Sequence, residues 1–306
     1  MKILISGSSG LIGSALVERL SRRHDEPAPP PHEVLRLVRR EVRPGAAEIS
    51  WDPAADRLDP AALEGLDAVV HLAGEKIVQR WTTKNKTRIL RSRVEPTRLL
   101  SGTLARLAAP PKVLLSASAI GYYGDRGDEE LDEESPPGEG FLAGVCREWE
   151  AATEAATAGG IRVLRLRIGA VLDRHGGALA RMLPLFRLGL GGRLGSGRQQ
   201  FSWITLDDLV AAIEFLLQAG LPAGPVNLVA PQPVTNRQFA AALGRVLHRP
   251  AILPAPGFAL RLVLGQLADE VLLSSARVLP RRLLAAGFSF CDAELGAALR
   301  RLLEAG

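Results

Sequence analysis

The sequence predicts an α/β fold, a doubly wound parallel sheet followed by a smaller, mostly helical C-terminal part. Two observations support this prediction. Short apolar runs alternate with segments of helical periodicity through the first half of the chain, which is typical of strand–helix–strand units. A glycine-rich turn joins the first apolar run to the first helical segment. The 306 residues, 47% hydrophobic and 23% charged, suit a globular protein of one or two domains.

The first element is a buried strand followed by a tight turn and a helix. Residues 3–5 are apolar without polar alternation, as expected of a strand covered on both faces. Gly7, Gly10 and Gly13 follow at the spacing GxxGxxG. In this context Gly7 permits the sharp turn, Gly10 lets the backbone approach a pyrophosphate, and Gly13 lets the helix pack close to the sheet. The alternative, a glycine-rich turn that binds no ligand, is less favoured.

The N-terminus of this first helix predicts a dinucleotide site. Free N–H groups and the positive end of the helix dipole favour phosphate binding there. The predicted phosphate-binding residues are Gly7, Ser9, Gly10, Leu11 and Ile12.

The second strand, over residues 34–38, ends at the position that distinguishes the two nicotinamide dinucleotides. A segment with four prolines, from His24 to Pro31, is the predicted surface connection to it. Arg39 and Arg40 follow the strand, and no acid precedes Glu41. An acid there binds a free ribose 2′-OH, whereas an arginine suits a 2′-phosphate. We therefore expect NADP(H) rather than NAD(H), the alternative being two ordinary surface arginines.

A third strand begins at Asp67, after a stretch from 41 to 66 that we predict to be a loop. It runs into a turn of small residues at the sheet edge where open α/β sheets bind ligands. His71, inside the apolar run, is interpreted as a core histidine. The cofactor residues predicted on this edge are Leu72, Ala73, Gly74, Glu75 and Arg80.

A long helix over residues 87–107, kinked or broken at Pro96, precedes the fourth strand at 113–115. That strand delivers Ser116 and Ala117 toward the ribose and nicotinamide. A helix at 141–158 and a fifth strand at 161–166 follow. Beyond it we expect Gly169 and Val171 to line the nicotinamide side.

The last third of the chain is mostly helical. Helices are predicted at 178–188 and 209–218, a short strand at 226–229, and a small strand at 287–290. Thr235 and Gln238 have the spacing of a capping box at the start of a further helix.

Several segments together resemble an extended short-chain dehydrogenase/reductase, within the epimerase-family branch whose members carry a C-terminal domain of unknown function. The segments are SGSSGLIG, VHLAGE, SASAIGYYG, FLAGVCREWE, RIGAVL, GLGGRLGSGRQQFSWITLDDL and NLVAPQPVTNRQFA. The resemblance implies a Rossmann-type dinucleotide-binding domain, which we place at residues 1–225, with segments of the substrate pocket from about 170 onward. It also implies a small C-terminal domain at 226–306 that closes the pocket.

The catalytic residues of the wider superfamily are only partly present. Its active members pair a Ser or Thr after the fourth strand with a Tyr-x-x-x-Lys on the next helix, which exchange a proton with the substrate. Ser118 matches the serine. Alignment on Glu150 puts Leu142 and Cys146 at the Tyr and Lys positions, and shifting by one residue gives Phe and Val. Neither alignment restores a titratable pair.

Three interpretations remain open. In the first, the protein is a reductase or epimerase in which Tyr122 or Tyr123 supplies the proton. In the second, Glu75 or an acid of the 125–134 segment does so. In the third, the protein binds NADP(H) without turnover, as a sensor or scaffold. The two tyrosines can equally pack beneath the nicotinamide or form the core of a turn.

Other residues give weaker indications. Arg193 and Arg198 lie in a glycine-rich loop, where related sugar-nucleotide enzymes hold substrate phosphates, and we predict that they bind substrate. Cys146 is interpreted as a buried cysteine. The acidic segment 125–134 is predicted to be the solvated edge of a lid.

Charge and cysteine content limit the partners and the compartment. The net charge is +5, but only five of the 38 basic residues are lysine, and the arginines are scattered. We therefore predict a small-molecule substrate and no nucleic-acid partner. Two cysteines without metal-ligand spacing predict no metal site and a reducing compartment. With no signal peptide or membrane-length apolar run, we expect a cytoplasmic protein without membrane contact, and a homodimer is an open possibility.

Overall fold

A computed structural model describes residues 1–21, 32–43 and 45–304. The predicted connection from His24 to Pro31 lies outside these ranges. Within them the strands are β1 (Lys2–Ser6), β2 (Glu33–Val38), β3 (Glu48–Asp52), β4 (Arg57–Leu58), β5 (Ala68–His71), β6 (Val113–Ala119), β7 (Glu130–Leu131), β8 (Arg162–Ile168), β9 (Ala170–Leu172), β10 (Gln200–Phe201), β11 (Trp203–Thr205), β12 (Gly224–Leu228), β13 (Val234–Thr235) and β14 (Arg277–Val278).

The helices of the described ranges cover both faces of the main sheet and form most of the C-terminal part. They are α1 (Leu11–Ser21), α2 (Thr83–Leu104), α3 (Phe141–Ala151), α4 (Glu154–Ala158), α5 (Gly177–Arg187), α6 (Leu206–Gln218), α7 (Asn236–Val246), α8 (Gly257–Leu264), α9 (Arg281–Ala285) and α10 (Leu295–Glu304). Short 3₁₀ turns lie at Pro53–Ala55, Ala61–Leu63 and Ile120–Tyr123, and a π-helical turn at Ala268–Leu273.

The main sheet has eight strands in the order β12-β8-β6-β5-β1-β2-β3-β4. All neighbours are parallel except β3 and β4, which are antiparallel. Because β1 lies in the interior and the strand order proceeds in both directions from it, the sheet is doubly wound, as predicted. Residues 3–5 are fully buried. Leu16 of α1 and Ile213 of α6 pack on one face of the sheet, and Leu100 of α2 packs on the other.

The prediction of a loop over residues 41–66 is wrong, because β3 and β4 extend the sheet there. Trp51 of β3 is buried, and its ring meets the His71 ring edge-on with centroids 6.1 Å apart. The pattern of the β3 sequence is mixed and the strand is short, so periodicity did not identify it.

Several predicted elements differ in extent. α2 continues through Pro96 as one helix. The predicted helix 141–158 divides into α3 and α4, and Thr153, between the two, donates its side-chain hydrogen bond to the carbonyl of Glu150. Residues 287–290 contain no strand. The capping box of Thr235 and Gln238 at α7 is confirmed.

Five of the seven acids in the segment 125–134 are exposed, which agrees with a solvated edge, but the segment is also anchored to the C-terminal part. Its β7 pairs with β14, and Arg277 lies 2.9 Å from the Glu130 carboxylate. Buried Glu133 accepts hydrogen bonds from the backbone N–H groups of Asn227 and Arg282 at 3.1 and 3.2 Å. The segment therefore joins the C-terminal part to the main sheet.

The C-terminal part has its own apolar cluster. Trp203, Phe239, Leu243 and Leu299 are buried together there. β12 spans the predicted domain boundary at 225/226, so the main sheet continues three residues beyond it. In the described ranges, no helix is long and apolar enough to cross a membrane, and His, Cys, Asp and Glu side chains form no group of three or more that could hold a metal ion.

Candidate functional site

The turn between β1 and α1 is shaped by close backbone contacts. Gly7 has φ +70°, and a Cβ on it would lie 2.8 Å from the Leu72 backbone. A Cβ on Gly13 would lie 2.2 Å from the Gly7 carbonyl oxygen. The Gly10 N–H donates to that same oxygen at 3.0 Å. These positions require glycine, and the turn they form leaves the first N–H groups of α1 open to an anion.

A cavity of about 590 Å³ lies against this turn, and its size is within the usual range for a ligand site. Eight of the predicted cofactor residues line it: Gly7, Ser9, Gly10, Arg39, Arg40, Leu72, Ala73 and Gly74. Six further lining residues were not among the predicted cofactor residues: Ser8, Arg36, Leu37, Val38, Glu48 and Trp51. The last two belong to β3, which was predicted to be loop.

The arginines at one end of the cavity differ in their partners. Arg40 and Arg36 both approach the buried carboxylate of Glu48, at 2.8 and 3.4 Å. Arg39 is exposed, and within the described ranges no carboxylate lies at ion-pair distance from it. A free guanidinium beside a cavity can bind a phosphate in two-point fashion. The glycine turn and Arg39 therefore fit a dinucleotide that carries a 2′-phosphate.

The other predicted cofactor residues lie outside this cavity. They are Leu11, Ile12, Glu75, Arg80, Ser116, Ala117, Gly169 and Val171. Glu75 pairs with Arg88 at 3.3 Å. The Ser116 hydroxyl is buried and has no partner in the described structure. Gly169 lies between the end of β12 and the start of β11, since a Cβ there would lie 2.7 Å from Val229 and 2.8 Å from Ser202. These roles stay predictions.

A row of polar side chains crosses the sheet beyond the cavity. Ser118, Arg167 and Asn227 are in register on β6, β8 and β12. Arg167 forms a two-point pair with Glu150 of α3, with Nε–Oε1 at 2.9 Å and Nη2–Oε2 at 3.0 Å. Ser118 donates to the same carboxylate at 2.7 Å. Sequence reasoning had used Glu150 only as an alignment marker and had missed Arg167.

The two predicted catalytic tyrosines lie in different surroundings. Tyr123 is fully buried, accepts from Arg167 at 3.0 Å, and lies 2.7 Å from Asn227 Oδ1. Burial raises the pKa of its phenol to about 12, although Arg167 opposes the shift. These surroundings favour the alternative that Tyr123 forms the core of a turn, and its catalytic role stays a prediction.

Tyr122 keeps an available hydroxyl. Its side chain is half-buried, and within the described ranges its hydroxyl makes no hydrogen bond. The Arg167 guanidinium lies over its ring, 3.5 Å from the ring centre. A cation at this distance attracts the π-face of the ring and holds it in place.

Cys146, at the aligned lysine position, cannot supply the charge that a lysine would. Cys146 is buried, and burial followed by the nearby charge of Glu150 raises the pKa of its thiol to about 12. It stays neutral at physiological pH, as expected for a core cysteine.

The predicted substrate arginines lie in the loop between α5 and β10. Arg193 donates to the carbonyl of Gly195 at 2.6 Å, whereas the Arg198 side chain is exposed. A Cβ on Gly197 would lie 3.0 Å from Arg193 and 3.3 Å from Arg237, so Arg237 of α7 lies against this loop. Within the described ranges, none of the three pairs with a carboxylate.

The sheet and its glycine turn define a Rossmann-type α/β protein with a dinucleotide site at the carboxyl ends of its strands. A model of the NAD dependent epimerase/dehydratase family matches residues 3–228, and the model of a domain of unknown function, DUF1731, matches residues 255–302. The chain belongs to the NAD dependent epimerase/dehydratase family.

Similar proteins occur in bacteria and animals. The epimerase family protein Mb2239 of Mycobacterium bovis is 46% identical over 97% of this chain and 96% of its own. The epimerase family protein SDR39U1 of Homo sapiens is 37% identical over 99% of this chain and 100% of its own. The crystal structure of human SDR39U1 (isoform 2) with NADPH superimposes with a TM-score of 0.87 at 37% identity, covering 99% of each chain.

Proposed function

We propose that this protein binds NADP(H) and acts as a reductase or epimerase on a small substrate of the nucleotide-sugar type. The observation that carries the cofactor assignment is the glycine turn beside a cavity with a free arginine, Arg39. The similar human protein was crystallised with NADPH, which supports the same cofactor. When bound, the nicotinamide would supply or accept a hydride.

Tyr122 is the residue we assign to proton transfer. Its hydroxyl makes no hydrogen bond within the described residues. Tyr122 lies in the turn after β6, the strand that carries Ser118. Arg167 lies against the ring and places a positive charge beside it. We assign this charge the place of the lysine that α3 lacks. Ser118, whose buried hydroxyl donates to Glu150, is assigned by its position after β6 to orient the substrate hydroxyl.

The substitution Tyr122→Phe tests this assignment because it removes only the hydroxyl. We expect turnover to fall by about 10²- to 10⁴-fold, as for loss of a general acid or base, with NADPH affinity unchanged. Tyr123→Phe is the matched control, for which we expect a lower melting temperature but retained turnover per folded molecule. Full turnover by Tyr122→Phe would refute the role.

A second function, NADP(H) binding without turnover, is favoured by one observation. α3 carries Leu142 and Cys146 where the wider superfamily carries its Tyr and Lys, and the Cys146 thiol stays protonated at physiological pH. Absorbance of bound NADPH during addition of a panel of carbonyl compounds and sugar nucleotides separates the two functions. NADPH oxidation by any member supports a reductase. If no member oxidises it, product analysis distinguishes a redox-neutral epimerase from a protein without turnover.

A further inference from the structure

Two basic side chains on α2 lack acidic partners. Lys86 and Arg93 are seven residues apart, two turns of helix, and so lie on the same face. Lys86 faces Phe141 at the start of α3, and Arg93 faces Trp149 further along it. In the described ranges, neither cation lies within ion-pair distance of a carboxylate. This side of the α2–α3 pair therefore carries two cations without a direct salt bridge.

The Lys86 ammonium is held between aromatic rings. It lies 5.8 Å from the ring centre of Trp81 and 5.0 Å from that of Phe141. It also donates a hydrogen bond to the side-chain oxygen of Gln266. The side chain is half-buried, so the ammonium is both fixed in place and open to solvent. A fixed cation of this kind keeps donors free for an anion.

The acids around Lys86 already have partners. The Glu270 carboxylate accepts from the backbone N–H groups of Phe141 and Leu142 at 3.0 and 2.8 Å, and from Gln266 at 2.6 Å. It thereby caps the N-terminus of α3, where a negative charge is favoured. Glu75 pairs with Arg88. Gln266 bridges the Lys86 ammonium to the Glu270 carboxylate, and no described carboxylate pairs with Lys86 directly.

A chain of contacts links Lys86 to the proposed proton-transfer site. Phe141, the neighbour of Lys86, precedes Leu142, whose Cβ lies 3.3 Å from the position of a Cβ on Gly121. Gly121 in turn precedes Tyr122 in the same turn. The cation therefore contacts the helix that packs against the turn carrying the available hydroxyl.

The buried Arg93 places a second positive charge on the same face of α2. Its guanidinium donates to the carbonyl of Glu75 at 2.8 Å and lies 3.4 Å from the position of a Cβ on Gly74. It also lies 5.1 Å from the ring centre of Trp149. Field lines from a buried charge are less screened by water than those from a surface charge.

We propose that Lys86 binds an anionic group of the substrate, a carboxylate or a phosphate, and that the protein selects acidic substrates. This inference rests on the proposed function, since it names the substrate class of the same site. The anionic group could instead belong to the cofactor, and the experiment below distinguishes the two sources.

Calorimetric titration of the full chain with malonate and with inorganic pyrophosphate, at constant ionic strength, tests the proposal. Each probe is titrated with and without saturating NADPH. The variants are Lys86→Met, which removes the charge and keeps most of the stem, and Lys84→Met, a matched control. Lys84 is exposed on the same helix and has no ion pair in the described structure.

We expect saturable binding of at least one probe to the wild type. Lys86→Met should weaken it by at least about tenfold, the effect of losing a charge-assisted hydrogen bond. Lys84→Met should change it by less than about twofold, because exposed charges are screened. The affinity for NADPH should be the same in all three proteins.

Three results would overturn the proposal: no saturable probe binding by the wild type, equal weakening by the two variants, or weakened NADPH binding by Lys86→Met. The last result would show that Lys86 binds the cofactor and not the substrate. Failure of the wild type to bind NADPH would refute the proposed function instead, while the titrations without NADPH would still measure anion binding at Lys86.

Discussion

Arg167 and Glu150 form a two-point ion pair beside Tyr122, with only 4% and 7% of their side chains exposed. The same guanidinium lies against the ring of Tyr122. A structural ion pair between β8 and α3 thus also fixes the position of the residue proposed to transfer a proton.

We expect Glu150→Gln to lower the free energy of unfolding by about 3 kcal/mol, because it leaves the buried charge of Arg167 without its counter-ion. Urea denaturation measures this loss. The exposed pair of Arg261 and Asp269, with 57% and 48% of the side chains exposed, is the control. Asp269→Asn should cost less than about 1 kcal/mol. Equal losses would show that the buried pair contributes no more to stability than the exposed pair.

Gly13→Ala should disrupt the dinucleotide turn. A Cβ there would lie 2.2 Å from the Gly7 carbonyl oxygen, so α1 must move away from the turn. We expect NADPH affinity to fall more than about tenfold and stability by about 1–3 kcal/mol, as for overpacking. Gly220→Ala is the control, since a Cβ there has no neighbour within 4 Å. Unchanged NADPH affinity in Gly13→Ala would contradict the assigned site.

Arg39→Ala should reduce the preference for NADPH over NADH by about ten- to 100-fold, the range for a lost hydrogen bond between charged groups. NADH affinity should change little. Arg91→Ala, at a side chain 69% exposed on α2, should leave both affinities unchanged. Dissociation constants for the two cofactors measure the effect, and an Arg39→Ala protein that keeps the wild-type preference would exclude Arg39 as the 2′-phosphate ligand.

His71 predicts a pH dependence of stability. Burial, and to a lesser extent Arg39, lowers the pKa of its imidazole from 6.5 to about 4. The unfolded chain therefore binds a proton that the native protein does not between these values. Stability should fall as the pH falls through this window, by up to about 1.4 kcal/mol per pH unit from this group.

Urea denaturation from pH 7 to pH 4 of wild type and His71→Asn isolates this contribution, since all other groups are shared. The variant should show the smaller slope. His248→Asn is the control, because His248 is exposed and its φ of 53° suits asparagine. The same slope for His71→Asn and wild type would mean that His71 is not neutral in the native protein.

The sequence was sufficient to predict the glycine turn and the central parallel strands, because both are local patterns. Residues 3–5 predict a buried strand, and the GxxGxxG spacing after them predicts a phosphate-binding turn. β3 and β4 could not be predicted in this way. β3 is held by pairing with β2 and by Trp51 packing on His71, contacts that the local pattern does not contain.

The polar network of the candidate site depends on pairing across elements. Arg167 and Glu150 are 17 residues apart on a strand and a helix, and only the register of the sheet places Arg167 between Ser118 and Asn227. Lys86 was not predicted for a related reason, because its contact with Phe141 of α3 joins two different helices. Its spacing of seven from Arg93 was the available signal.

The most direct test of the account is calorimetric titration of the purified protein with NADPH, NADP+, NADH and NAD+. We expect micromolar or tighter binding of NADPH and NADP+, and weaker binding of the two forms without a 2′-phosphate. Equal affinity for all four would contradict the role of Arg39. Absence of any dinucleotide binding would contradict the assignment of the glycine turn and, with it, the proposed function.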